Sequence, residues 1–206
     1  MLSNISQSPS NDGLIFIISA PAGAGKTTLV QKLVQEFPNV VQSISTTTRP
    51  PRQGEIPGIH YHFVNEADFL TAVKNGEFLE YVKLYEYYYG TSLKWMTNQQ
   101  KEGKHVVLVI DTQGAKQLMG KISATFIFIL PPSLKVLRER LIRRNTEESS
   151  AIEKRLAIVK DELKAASLYD YQLTNDDLDD AYDILRSIVI AEMYKNRAKF
   201  PRIERD

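Results

Sequence analysis

Leu14-Ile15-Phe16-Ile17-Ile18-Ser19-Ala20-Pro21-Ala22-Gly23-Ala24-Gly25-Lys26-Thr27-Thr28 is the stretch that decides the fold. Five apolar residues, Leu14 to Ile18, suit a strand buried on both faces of a parallel sheet. The string that follows is a near match to G-x-x-x-x-G-K-[ST], with Ala20 at the first glycine. Small residues let successive backbone N–H groups close around a phosphate, and the helix behind them points its positive end at the same anion. Lys26 then reaches the outer phosphates and Thr27 can hold Mg²⁺. Residues Ala20, Pro21, Ala22, Gly23, Ala24, Gly25, Lys26, Thr27 and Thr28 therefore form a polyphosphate cradle. The alternative is a small-residue turn that precedes a helix by chance. Ala20 puts the first turn in question, because Ala resists the φ > 0 that Gly accepts.

Working outward, Val106 to Ile110 and Phe126 to Leu130 are two further five-residue apolar runs bounded by turn formers. Val30, Leu33, Val34 and Phe37 repeat at helical spacing and stop before Pro38; Ile152, Leu156, Val159 and Leu163 form a second stripe, and Leu178, Tyr182, Leu185, Val189 and Met193 a third. Ser150 with Glu153 reads as a capping box opening the second of these. Strands alternating with helices imply an α/β fold, a doubly wound parallel sheet with ligands at the carboxyl ends of its strands. The segment from Ser43 to about Gly90 differs, with Pro50, Pro51, Pro57 and alternating His60-Tyr61-His62-Phe63-Val64, and reads as a small β-rich insertion. Residues 1–12 are polar and rich in Ser and Asn, read as a flexible tail.

Over 206 residues, 26 Lys and Arg stand against 25 Asp and Glu, so no bulk field exists to grip a nucleic-acid backbone or an anionic membrane. Zero cysteines exclude disulfides, thiolate metal sites and a cysteine nucleophile. No apolar run approaches the ~20 residues needed to cross a bilayer. One domain and a soluble, cytoplasmic protein without nucleic-acid, membrane or obligate protein partners are expected.

Asp111 follows the Val106 to Ile110 run, either as an acid beside a Mg²⁺-bound nucleotide or as the cap of a helix from Gln113. Asp111-Thr112-Gln113-Gly114 matches the short D-x-x-G of GTPases, but no N-K-x-D follows. Ser45-Thr46-Thr47-Thr48-Arg49-Pro50-Pro51-Arg52-Gln53-Gly54-Glu55 is more telling. Its prolines favour an extended conformation with three residues per turn, which sets Arg49 and Arg52 on one edge, where two guanidinium forks can converge on one phosphate. A solvated basic loop or a proline-rich docking segment is the competing reading.

From about Gly13 to Tyr194 the chain resembles the guanylate kinase family of P-loop nucleoside monophosphate kinases. The resemblance rests on the phosphate loop, the S-T-T-T-R-P-P-R-x-G-E segment, Glu77-Phe78-Leu79-Glu80, Tyr88-Tyr89-Gly90-Thr91, Ile110-Asp111-Thr112-Gln113-Gly114, Pro131-Pro132-Ser133, Arg144-Asn145-Thr146-Glu147 and Asn175-Asp176. It implies transfer of the γ-phosphoryl group of MgATP to GMP, and to dGMP. It also implies a core (13–42, 92–138 and 158–206), an inserted mixed α+β GMP-binding lobe (43–91) and a small helical lid (139–157). By the same resemblance Arg49, Arg52, Tyr61 and Tyr89 hold the GMP phosphate, and Ser45, Glu80 and Thr91 read guanine. Glu55, Gly90 and Asp111 complete that set, and Asn175 joins the ATP site. Lys26, Arg49, Arg140, Arg144 and Arg155 carry catalysis, the last three from the lid. Mg²⁺ is held at Thr27, with Asp111 in direct contact or through water.

The chemistry agrees with that assignment. Guanine offers two donors, N1–H and the exocyclic amine, to which one ionised carboxylate presents two acceptors. Adenine would turn a lone pair toward Glu80. No general base is required, since the accepting phosphate oxygen is already ionised, so His60, His62 and His105 are read as strand or surface residues. Tyr85 and Tyr87 are read as a packed sheet edge. Two departures from the family pattern stand out: Val109 where an acid is frequent, and Ala22 where Ser is frequent. The alternatives are an inactive protein-interaction module on the same fold and a P-loop kinase with another small phosphorylated acceptor.

Overall fold

The computed structural model describes residues 12–143 and 158–195. Arg144, Arg155, the Ser150–Glu153 capping box and the tail before residue 12 lie outside the described residues. The chain runs β1 (Ile15–Ser19), α1 (Lys26–Glu36), β2 (Val40–Gln42), β3 (Thr46–Thr47), β4 (His62–Phe63), α2 (Glu66–Lys74), β5 (Phe78–Leu84) and β6 (Tyr87–Ser92). It continues through α3 (Leu93–Lys101), β7 (His105–Val109), α4 (Thr112–Leu118), β8 (Thr125–Leu130) and α5 (Leu134–Arg143). Helix α6 covers residues 158–165, and β9 (Tyr171–Thr174) and α7 (Leu178–Tyr194) follow.

Five parallel strands in the order β2-β7-β1-β8-β9 form the main sheet. Alternation along β1 splits the core in two. Phe16 and Ile18 face Leu29, Val30 and Leu33 of α1 and Ala181, Leu185 and Val189 of α7. Ile15 and Ile17 face the other way, onto Met96 of α3 and Ala115 and Leu118 of α4. Helices on both faces make this the doubly wound α/β architecture expected. The three apolar runs are its three central strands. The outer strands are legible only in the structure: β2 is three residues long, and Tyr171-Gln172-Leu173-Thr174 buries only Leu173, so neither carries an apolar run.

A second sheet, ordered β4-β3-β6-β5, occupies the inserted segment. Its β3–β6 and β5–β6 pairs are antiparallel, and β3–β4 is parallel. One face packs on α2, where Phe69 stacks on Phe78 and Tyr88 at ring separations of 4.5 and 5.4 Å. The other face carries Thr47, Glu80, Val82 and Thr91, all buried. Tyr85 corrects the packed-edge expectation: it stands at the turn between β5 and β6 with φ 56°, 66% exposed. His105 heads β7 and is 1% exposed; its Nδ1 accepts from the Leu14 N–H at 2.9 Å.

Candidate active site

The phosphate loop folds because its glycines fall where the backbone turns left-handed. Gly23 has φ 88° and Gly25, the cap residue of α1, φ 89°. Ala20 adopts no such angle, so the missing glycine costs the loop nothing. Leu137 and Leu141 of α5 close on Gly23 from outside. Asn175, 4% exposed, donates from Nδ2 to the Ala24 carbonyl at 2.7 Å and lies so close to Gly25 that any Cβ there would collide with it. Arg140 donates from Nη1 to the Asn175 carbonyl at 3.1 Å. Together Gly23, Gly25, Thr28, Arg140, Asn175, Asp176 and Leu178 line an open depression of ≈ 320 Å³. Arg140 and Asn175 thus meet the phosphate loop, although they lie more than a hundred residues away in sequence.

Lys26 opens α1 directly after Gly25, which lines this depression. Burial lowers its pKa from the ordinary lysine value, while Glu162 and Asp111 hold it up. Of the two readings left open for Asp111, the structure shows the helix cap. Its Oδ1 accepts from the Gly114 N–H at 2.8 Å and so caps α4, and its charge faces Lys26. Burial raises the Asp111 pKa, opposed by the Gly114 and Gln113 N–H groups and by Lys26.

Across the second sheet, register brings the expected acceptor residues onto one face. Glu80 pairs with Thr91 and Tyr89 with both Val82 and Thr47, so Glu80, Thr91, Val82, Tyr89 and Thr47 point the same way. Ser45 lies two residues before Thr47 on that face, and Tyr61 two before Phe63, the β4 partner of Thr47. Gly90 is on the opposite face, where a Cβ would sit 2.8 Å from the Phe78 ring. Its smallness therefore serves the packing of the sheet, and it offers the ligand face no side chain.

Glu80 is 4% exposed, and Oε1 accepts from the Thr91 hydroxyl at 2.6 Å. Burial pushes its carboxyl up to about 7, Asp111 adding to the rise and Thr91 opposing it. Its Oε2 abuts Gly114, where a Cβ would stand 2.6 Å away. At the far end of the same face, Arg49 is held between aromatic rings, 5.4 Å from the Tyr61 centroid and 5.9 Å from that of Phe63. Its Nη2 donates to both oxygens of Glu55 at 2.8 and 2.9 Å. Burial works against the Arg49 charge, but Glu55 and then Tyr89 outweigh it and raise its pKa. The Arg52 backbone N–H donates to Glu55 Oε2 at 2.7 Å, and the Arg52 side chain is exposed. Burial also raises the Tyr61 pKa, with Tyr89, Arg49, Glu55 and Arg52 all within electrostatic reach. The structure brings Arg49, Arg52, Glu55, Tyr61 and Tyr89 together.

The two halves converge on Asp111, which interacts with Lys26 on one side and Glu80 on the other. Among the described residues no group of three or more His, Cys, Asp or Glu could hold a metal ion by itself. The donors expected for Mg²⁺, the exposed Thr27 hydroxyl and the Asp111 carboxylate, are hard oxygens of the type that ion takes beside substrate phosphates, and they fit it. Two residues escaped the sequence. Glu162 sits inside an apolar helical stripe and matches no short motif. Gly114 was visible within D-x-x-G, but its contact with Glu80 was not.

A family model described as guanylate kinase matches residues 13–192. The chain is 58% identical over 183 residues to a guanylate kinase of Protochlamydia amoebophila, covering 89% of this chain and 93% of that one. It is 43% identical over 196 residues to one of Coxiella burnetii, covering 95% of each. A crystal structure of guanylate kinase from Anaplasma phagocytophilum superposes with a TM-score of 0.75 at 33% identity, covering 90% of this chain and 88% of that one.

Proposed function

The chain belongs to the guanylate kinase family, and on that premise we propose how its own residues divide the transfer of the γ-phosphoryl group of ATP to GMP. The protein is an ATP:GMP phosphotransferase, and its products are ADP and GDP. The observation that supports the division of labour is Asp111, a carboxylate within electrostatic reach of both the phosphate-loop lysine and the buried Glu80.

Glu80, ionised, accepts from guanine N1–H and the exocyclic amine, with Thr91 fixing its carboxylate and Ser45 beside it. Arg49, Arg52, Tyr61 and Tyr89 bind the GMP phosphate. The Arg49–Glu55 pair holds the guanidinium fork in one orientation before the phosphate arrives, which lowers the ordering cost of binding. On the donor side the loop amides and Lys26 take the triphosphate. Arg140 and Asn175 wall the depression beside it, and Arg140, Arg144 and Arg155 are assigned to contact with the ATP phosphates by resemblance to the family.

No side chain needs to remove a proton, because the GMP phosphate oxygen attacks as an anion. What the protein supplies is alignment of two phosphate groups that repel each other, together with positive charge along the transfer path. Thr27, and Asp111 directly or through water, would hold Mg²⁺, which would supply charge neutralisation for the transfer. The reading carries with it dGMP as a second acceptor and a cytoplasmic location; no helix among the described residues is long and apolar enough to cross a membrane.

Calorimetric titration of ATP and of GMP into the free protein, alongside turnover of Lys26→Met, tests the division. Both nucleotides are expected to bind, and Lys26→Met is expected to lose turnover while keeping GMP affinity. Normal turnover in Lys26→Met would remove the loop from the chemistry.

A further inference from the structure

The β5–β6 ladder shifts register beside Glu80. Phe78 stands opposite Ser92 and Glu80 opposite Thr91, so Leu79 is an extra residue in β5. In an unbroken strand Glu80 would share the face of Phe78, which stacks on Phe69 of α2. The bulge turns Glu80 to the opposite face, and it interrupts the ladder on that side of the carboxylate. β5 is also the last strand of its sheet, so no strand lies along its outer edge. The strand therefore needs another support where Glu80 stands.

Helix α4 supplies it, although α4 follows β7 of the main sheet. Gly114, Gln117 and Leu118, at i, i+3 and i+4 on one helix face, lie along three consecutive residues of β5. Leu118 shares an apolar cluster with Leu79. Gly114 is so near Glu80 that a Cβ would stand 2.6 Å from Oε2. Gln117, half-buried, donates from Nε2 to the Tyr81 carbonyl at 2.8 Å. This last contact is directional: apolar packing lets a strand slide, whereas a hydrogen bond weakens steeply when its geometry is lost.

We propose that Gln117 is a positioning residue for guanine selection: its amide ties β5 to α4 at Tyr81 and so holds the neighbouring Glu80 carboxylate where it meets the base edge. The inference rests on Glu80 reading guanine. Two hydrogen bonds from one base edge to one carboxylate require both oxygens to be aligned, so a small slide of β5 is felt there. AMP carries the same phosphate and gains nothing from Glu80, so its use is indifferent to the tie.

The test compares the parent with Gln117→Met, which keeps the length of the side chain and removes the donor. GMP and ATP are titrated calorimetrically, and ADP release is followed with GMP or AMP as acceptor. GMP affinity is expected to weaken about fivefold, the effect of one neutral hydrogen bond, with KM for GMP rising in step. ATP affinity, kcat with GMP, and kcat/KM for AMP are expected within twofold of the parent, so the preference for GMP over AMP falls by the same factor. A merely structural Gln117 would leave that preference unchanged. GMP affinity within twofold of the parent overturns the proposal, and so does a parallel loss with GMP and AMP. If Gln117→Met does not fold, Gln117→Asn, too short to keep the bond to Tyr81, decides by the same criteria. Glu80→Gln separates this result from the reading beneath it. Preference for GMP that is lost in Glu80→Gln keeps Glu80 as the guanine reader under either overturning result, whereas preference undiminished in Glu80→Gln removes that reading itself.

Discussion

Gly114→Ala sets two effects of known direction against each other. Gly114 lies in the first turn of α4 and has no left-handed φ, so by helix propensity alone alanine would stabilise that turn by about 1 kcal/mol. The added methyl carbon, however, would stand 2.6 Å from Glu80 Oε2, 3.2 Å from Glu80 Cδ and 3.3 Å from Asp111 Oδ1. Ordinary contact begins at 3.4 Å, so the Glu80 oxygen must retreat by roughly 0.8 Å. The Thr91 hydroxyl holds the other oxygen at 2.6 Å, so the retreat tilts the carboxylate away from the plane in which it meets guanine. Losing one bond to a charged acceptor costs about 1.5–3 kcal/mol, or roughly 10- to 150-fold. Coupled ADP-release kinetics should therefore show kcat/KM for GMP reduced by about that factor, with KM for ATP unchanged and thermal stability level or slightly raised. A variant with the parent's KM for GMP would refute the placement of Glu80 as the guanine reader.

The other predictions concern the same two half-sites. Glu80 binds its proton up to about pH 7 in the folded protein, against 4.5 for the ordinary group, so between those values the native state carries a proton that the unfolded state has released. Stability contributed by this group therefore falls as pH rises through that window, by about 3 kcal/mol in all. Glu80→Gln should be more stable than the parent at pH 8 and no more stable at pH 4.5, measured by urea unfolding; identical profiles would show that Glu80 ionises normally. It should also bind GMP more weakly, because an amide cannot offer two acceptors. Asn175→Ala removes the donor to the Ala24 carbonyl and opens space behind Gly25. Its expected effect is about a tenfold rise in KM for ATP with KM for GMP unchanged; equal rises in both would place Asn175 in the general fold rather than the loop. Arg49→Lys breaks the two-oxygen fork to Glu55, and kcat/KM for GMP is expected to fall by about tenfold or more although the charge is kept; a change under twofold would show that the fork geometry is dispensable.

The centre of the molecule was legible because it is built from continuous apolar runs and glycine punctuation. Leu14 to Ile18, Val106 to Ile110 and Phe126 to Leu130 can only be buried on both faces, and Gly23 with Gly25 can only be a tight turn before Lys26. What escaped was set by contacts between distant segments. Strands β2 and β9 exist because β7 and β8 offer them an edge, and nothing in Val40-Val41-Gln42 or Tyr171-Gln172-Leu173-Thr174 announces it. The position of Tyr85 at a turn depends on where β5 and β6 pair, which the run of tyrosines conceals. The candidate site divides the same way. Ser45, Arg49, Glu80 and Thr91 were candidates through their motifs. Glu162 matches no motif, and its half-buried place shows only in the fold.

The central claim is that one pocket grips a triphosphate while the facing pocket selects a monophosphate by its guanine edge. The most direct test is the ratio of initial ADP-release rates with GMP and with AMP at equal, subsaturating concentrations and constant MgATP. A site built on the Glu80 carboxylate predicts a ratio on the order of 10⁴ or more, and background release when no acceptor is added. Comparable rates for the two purines, or ADP release that ignores the acceptor, would contradict the account.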